Sequence, residues 1–161
     1  MLLVLFTLGE QRYGLDAAVV ELIVPALPLR AVPGTPPSIS GIFSFRGHVT
    51  PVIDLVQLTL GRPAREALGS RFIITRYPLG GAEHFLALHA ESVNEVRDVP
   101  DASLRDSGIR SPGAPFLGPV ADTPSGLVQT VTLQNLIPPD LQALLFSDKL
   151  QTEPAQLQTA R

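Results

Sequence analysis

The side chains best suited to proton transfer near neutral pH are His48, His84 and His89. As metal ligands they are poorly spaced. His84 and His89 stand five apart on an apparent strand, which places them on opposite faces, and no H-E-x-x-H or comparable ligand pair occurs. A histidine can be drawn together with Asp16 or Asp98 and one of Ser38, Ser40 or Ser44, but no G-x-S-x-G elbow presents any of these serines as a nucleophile. The only lysine is Lys149, so no phosphate-loop lysine exists. Gly80-Gly81 reads as a turn, because no helix evidently follows it to receive a phosphate. Cysteine is absent, which removes thiolate nucleophiles, disulfides and zinc fingers together. The residues therefore argue for a non-enzyme with no cofactor and no metal. A small-barrel hydrolase using His48 or His84 is the rival from another class.

Composition narrows the partners. Twelve basic residues face 15 acidic ones for a net charge of −3, so nothing suggests a nucleic-acid binder that relies on phosphate neutralisation. A small-barrel module for peptides or single strands would need an aromatic, basic groove, yet Tyr13 and Tyr77 are the only tyrosines. The apolar share is 45 % and mean hydropathy is +0.24, which excludes a disordered chain. The opening Met1 to Phe6 is apolar, but Glu10 and Arg12 follow too soon for a spanning segment or a leader. The expectation is a cytoplasmic protein with no membrane insertion.

The elements that would position these residues are short. Thirteen glycines and 16 prolines in 161 residues leave little room for long helices. Leu2 to Leu8 reads as a strand, and Tyr13 to Leu15 as the start of its hairpin return. Asp16 caps a single turn, and Glu21 to Val24 is a strand. Ile39 to Phe45 and Val49 to Ile53 flank Arg46-Gly47-His48 as a hairpin, after which Asp54 caps a short helical turn. The second half repeats this grammar, with strands at Arg71 to Arg76, His84 to Leu88, Asn94 to Val99, Phe116 to Ala121 and Leu127 to Thr132. Leu15 corresponds to Leu88, Glu21 to Glu95, Gly41 to Gly118 and Asp54 to Thr132, at offsets of 73 to 78 residues.

Two copies of one short-stranded unit imply two small barrels sharing an apolar interface, since about 65 residues is marginal for a domain alone. The repeat predicts a boundary near residues 61–69. A helix is predicted around Pro139 to Phe146, opened by its prolines, and a polar tail over 148–161.

Several of these segments resemble a known family. Phe6-Thr7-Leu8-Gly9, Tyr13-Gly14-Leu15-Asp16 and Glu21 are similar to the opening of the CheW-like domain of bacterial chemotaxis coupling proteins. The stretch Gly41-Ile42-Phe43-Ser44-Phe45-Arg46-Gly47-His48-Val49-Thr50-Pro51-Val52-Ile53-Asp54-Leu55 resembles that family's central signature, and the similarity spans roughly residues 1–147. The resemblance implies an all-β fold of two SH3-like five-stranded barrels, with short helical turns and a C-terminal helix. It implies an adaptor joining the cytoplasmic tip of a methyl-accepting chemoreceptor to the regulatory domain of a histidine kinase. An adaptor for a pilus-motility or biofilm array would look the same.

By the same resemblance, Val19, Val20, Glu21, Ile39, Gly41, Arg46 and Gly47 lie at or near the receptor contact. Arg46 has the chemistry for it, because a guanidinium grips carboxylates or carbonyls in a fork. Gly47 supplies positive φ to the turn. Three departures stand out: a Tyr13 to Glu21 spacing one residue shorter than the family's, Glu91 where the family carries aspartate, and Thr132 where it carries an acidic or amide cap.

Overall fold

The computed structural model describes residues 1–151, with side chains through Phe146. In chain order come β1 (Leu2–Leu8), β2 (Gln11–Asp16), a 3₁₀ turn (Ala17–Val19), β3 (Val20–Pro25), β4 (Ile39–Phe45), β5 (His48–Asp54) and α1 (Leu55–Leu60). Then follow β6 (Arg71–Leu79), β7 (Ala82–Ala90), β8 (Ser92–Asp98), β9 (Leu104–Arg105), β10 (Leu117–Thr123), β11 (Gly126–Val131) and α2 (Pro139–Gln151). Two sheets result, ordered β8-β1-β2-β11-β10-β9 and β3-β6-β7-β5-β4. The fold is all-β, as the short alternating runs predict, and the two-residue β9 is an unforeseen addition at one edge.

The repeat is real, but its halves do not form separate sheets. Each sheet takes the first two strands of one half and the last strands of the other: β3, β4 and β5 join β6 and β7, while β8, β10 and β11, with the added β9, join β1 and β2. The parallel pairs mark the exchange: β2 lies beside β11, and β7 beside β5. Matching backbone bonds close both copies, Asp54 N–H to Ser38 O and Thr132 N–H to Phe116 O, each at 2.7 Å. The connector 61–69, where the repeat predicts a boundary, joins two segments of the five-stranded sheet. The chain changes sheet at the 3₁₀ turn 17–19 and again at Glu91. A repeat reveals the strand order within each unit, but it does not say which copy supplies the neighbour.

The exchange explains the apolar runs. β1 is buried on both faces, so Leu3, Val4, Leu5 and Phe6 are all inside, as expected for a doubly covered strand. Val4 and Phe6 join Tyr13, Leu15 and Val131 against Ile53, Ile73, Leu86 and Leu88, building the core between the sheets. Leu3 and Leu5 face the other way, towards Val99, Ala121 and Val128. In the five-stranded sheet, Phe72 and Ile74 likewise turn from the shared core to Val52 and Ala87. Each such side chain contributes about 1.5–3 kcal/mol of burial.

Asp54 caps α1 through Oδ1, which accepts from Val56 and Gln57 N–H at 2.9 and 3.1 Å, while Oδ2 takes Ala64 N–H at 2.8 Å. Its counterpart Thr132 makes no such side-chain bond, and only a 3₁₀ turn follows. The helix α2 begins where its prolines predict and runs on to Gln151. Phe146 is buried against Tyr77, ring centroids 5.9 Å apart, and Gln142 Nε2 donates to the Tyr77 hydroxyl at 2.9 Å. Of the predicted polar tail, residues 152–161 lie outside the described residues.

Glu91, at the second change of sheet, gathers a ring of donors. Its carboxylate accepts Gly9 N–H at 2.8 Å, Arg65 N–H at 2.8 Å and both Arg62 Nη atoms at 3.0 and 3.1 Å. The side chain is only 14 % exposed. The Arg62 guanidinium, helped by the two backbone donors, holds its pKa down to about 2. One carboxylate thus ties the β1–β2 turn to the connector before β6.

Gly41 shows why the signature needs glycine. Its φ is +149°, and a Cβ there would sit 2.6 Å from Arg30 O. That carbonyl belongs to a bridge in which Arg30 and Ile42 exchange N–H···O bonds at 2.9 Å, fastening the 26–38 segment to β4. At Gly118, where φ is not positive, the same Cβ would meet a side-chain atom instead of backbone, the Thr130 hydroxyl at 2.7 Å. Gly41→Ala is expected to cost at least about 2 kcal/mol and Gly118→Ala distinctly less, measured by urea unfolding. Equal costs would mean the Arg30 bridge yields easily.

Candidate protein-docking surface

The β4–β5 connection is a two-residue turn, since Phe45 pairs with His48. Arg46 and Gly47 both adopt positive φ, +50° and +77°, as a type I′ hairpin turn requires. For glycine this is easy. For Arg46, the only described non-glycine residue with positive φ, it carries a backbone cost of about 1 kcal/mol. The turn pushes the guanidinium outward, where its Cζ lies 4.8 Å from the centre of the Phe45 ring. The side chain is 55 % exposed.

Glu21 reaches the same place from β3. In the β3–β6 ladder, Val20 pairs with Thr75 and Leu22 with Ile74, so Glu21 is the extra residue of a bulge and its side chain is re-aimed. Its Oε2 lies 3.7 Å from Arg46 Nη1. β3 and β4 are opposite edges of their sheet, so this contact also shows how strongly the sheet curls. Arg76, on β6, completes the cluster: its Nη1 is 3.5 Å from Glu21 Oε1, and its guanidinium donates to Ala18 O and Val20 O. Two guanidiniums around one carboxylate leave the patch positive.

Val19 and Val20 flank the cluster, half-buried, their inner faces packed on the shared core. Asp16 sets the approach, its Oδ1 accepting Ala18 N–H at 3.0 Å across the 3₁₀ turn. Leu22 adds an exposed apolar side chain nearby on β3. The structure thus unites Val19, Val20, Glu21 and Arg46, with Gly47 serving the turn. Two other residues do not join them. Ile39 is 7 % exposed and belongs to the core, and Gly41 is buried beneath Arg30. Both positions are structural, which takes them off the surface. Arg76 was missed because no local motif marks it; it arrives only through the β3–β6 pairing.

The histidines stay apart. His84 stacks on Phe146 at 4.7 Å, while His89 meets Phe72 edge-on at 5.2 Å, on the opposite face of β7. His48 lies against Phe85 at 5.4 Å. Among the described residues, no group of three or more His, Cys, Asp or Glu side chains is placed to hold a metal ion. No described helix is long and apolar enough to cross a membrane.

The chain matches the CheW-like domain family over residues 2–139. It is 31 % identical over 155 residues to the chemotaxis protein CheW of Treponema pallidum (strain Nichols), covering 92 % of this chain and 84 % of that protein. Among solved structures, the scaffolding protein TtCheW from Thermoanaerobacter tengcongensis superposes with a TM-score of 0.75 at 28 % identity, over 84 % of this chain and 91 % of that one.

Proposed function

Because this chain belongs to the CheW-like domain family, we propose that it couples a chemoreceptor to a histidine kinase, as a scaffold of chemotaxis signalling without catalytic activity of its own. The observation that carries this is the family match over residues 2–139, which takes in all eleven strands. The receptor's cytoplasmic tip, a helical hairpin, would dock on the Arg46 patch. There the guanidinium fork meets carboxylates or helix carbonyls, and Val19 and Val20 supply apolar contact. The kinase's regulatory domain would bind elsewhere on the two-sheet body, and the site of action is the cytoplasm. Signal then passes as a changed placement of receptor and kinase, with no covalent step in this chain.

The test is assembly from purified parts. The chain should co-elute with a receptor-tip fragment, with the kinase regulatory domain, and with both together. Kinase autophosphorylation should respond to the receptor only when the chain is present. A chain that binds either partner alone but never bridges them would sink the adaptor reading.

A further inference from the structure

Glu21 is shared by two guanidiniums that hold it unequally. Arg76 comes from β6, which is paired on both sides by β3 and β7. Its guanidinium donates to the carbonyls of Ala18 and Val20 and lies 3.5 Å from the Glu21 carboxylate, and its side chain is 33 % exposed. Arg46 comes from a turn, has one long ion pair and a ring beneath it, and is the more exposed of the two. A carboxylate flanked by a single arginine draws it into a close, two-pronged pair. Flanked by two, it divides its charge, and the arginine with the better-fixed geometry takes the larger share.

We propose that Arg76 is a positioning residue for the docking surface: by occupying Glu21, it keeps Arg46 from collapsing into an intramolecular pair and leaves its fork available to a partner. This rests on reading Arg46 as partner-facing. The Ala18 and Val20 carbonyls orient Arg76, so the competition for Glu21 is decided before any partner arrives. The binding cost of opening an Arg46–Glu21 pair is thereby removed in advance.

The experiment is a double-mutant cycle read by calorimetry against a receptor-tip fragment. Arg76→Met, which keeps the aliphatic stem, is expected to weaken binding about three- to tenfold, with regulatory-domain binding unmoved. In a Glu21→Gln background, where no carboxylate remains to capture Arg46, the same substitution should change binding less than about twofold. Side-chain NMR of Arg46 should show its guanidinium becoming ordered in Arg76→Met and not in the double variant. Equal losses in both backgrounds would mean that Arg76 touches the partner or merely holds the fold, and would overturn the proposal. So would wild-type binding by Arg76→Met. Should Arg76→Met fail to fold, Arg76→Lys enters the same cycle, and the same background dependence is required of it. Arg46→Glu serves as the reference: if it binds the tip normally, the docking surface itself is misassigned, whatever Arg76 does.

Discussion

Glu91→Gln is expected to lower the unfolding free energy by about 2–3 kcal/mol at pH 7, and the difference should shrink as the solution is acidified. The size follows from what the carboxylate holds: two backbone donors and a two-pronged arginine, in a side chain mostly withdrawn from water. Such charge-assisted bonds are worth about 1.5–3 kcal/mol each in isolation, and the partly exposed Arg62 reduces the sum. The sign of the pH dependence follows from the depressed pKa. In the unfolded chain Glu91 titrates near 4.5, in the folded one near 2. Its contribution is complete above pH 4.5 and drains away as pH falls towards 2. Urea midpoints at pH 7, 4 and 3 for both proteins supply the measurement. A gap that stays constant with pH would show that packing, not charge, makes the difference.

Arg46→Glu should weaken binding of a receptor-tip fragment at least tenfold, roughly the loss of one charge-assisted bond of about 1.5–3 kcal/mol. Regulatory-domain binding and thermal unfolding should move little, because the residue sits on a turn and makes only one long ion pair. A sharper version uses the backbone. Asn-Gly is the favoured type I′ pair, so Arg46→Asn relieves the positive-φ cost and should raise stability by up to about 1 kcal/mol. The same change removes the fork and should weaken receptor binding. Opposite signs in one variant would show that the arginine is kept for contact at the expense of the turn. A destabilised Arg46→Asn, or one that binds as before, would make the residue part of the fold.

Much of this was legible because it is local. Alternating apolar residues mark the strands, Asp54 marks the start of α1, and two residues between Phe45 and His48 mark a tight turn. Membership of the Arg46–Glu21 cluster was half legible. Arg46 and Glu21 stand out in their motifs, yet Gly41 stands in the same motif as Arg46 for close backbone approach, and Ile39 just before it serves packing. What stayed hidden depends on distant pairing. Gly9 and Glu91 are 82 positions apart, and nothing near either announces the other. Arg76 lies in an unremarkable strand until the ladder, pairing Val20 with Thr75, brings its side chain to Glu21. The exchange between the halves was hidden most deeply, since both arrangements bury the same residues in the same alternation.

That exchange also imposes an order on synthesis. The five-stranded sheet is drawn from one continuous stretch, Val20 to Ala90, and can close as soon as that stretch clears the ribosome. The six-stranded sheet cannot. Its strands β1 and β2 emerge first but wait for β8 and β11, so Leu8 is made more than 120 residues before Val131. At about 5–20 residues per second, that is a delay of roughly 6–25 s. Throughout it the nascent chain carries Leu3 and Leu5 without their final covering of Ala121 and Val128. Two nearly symmetric sheets thus have unequal histories: one assembles as a unit, and the other begins as an exposed apolar segment that a chaperone is well suited to shelter.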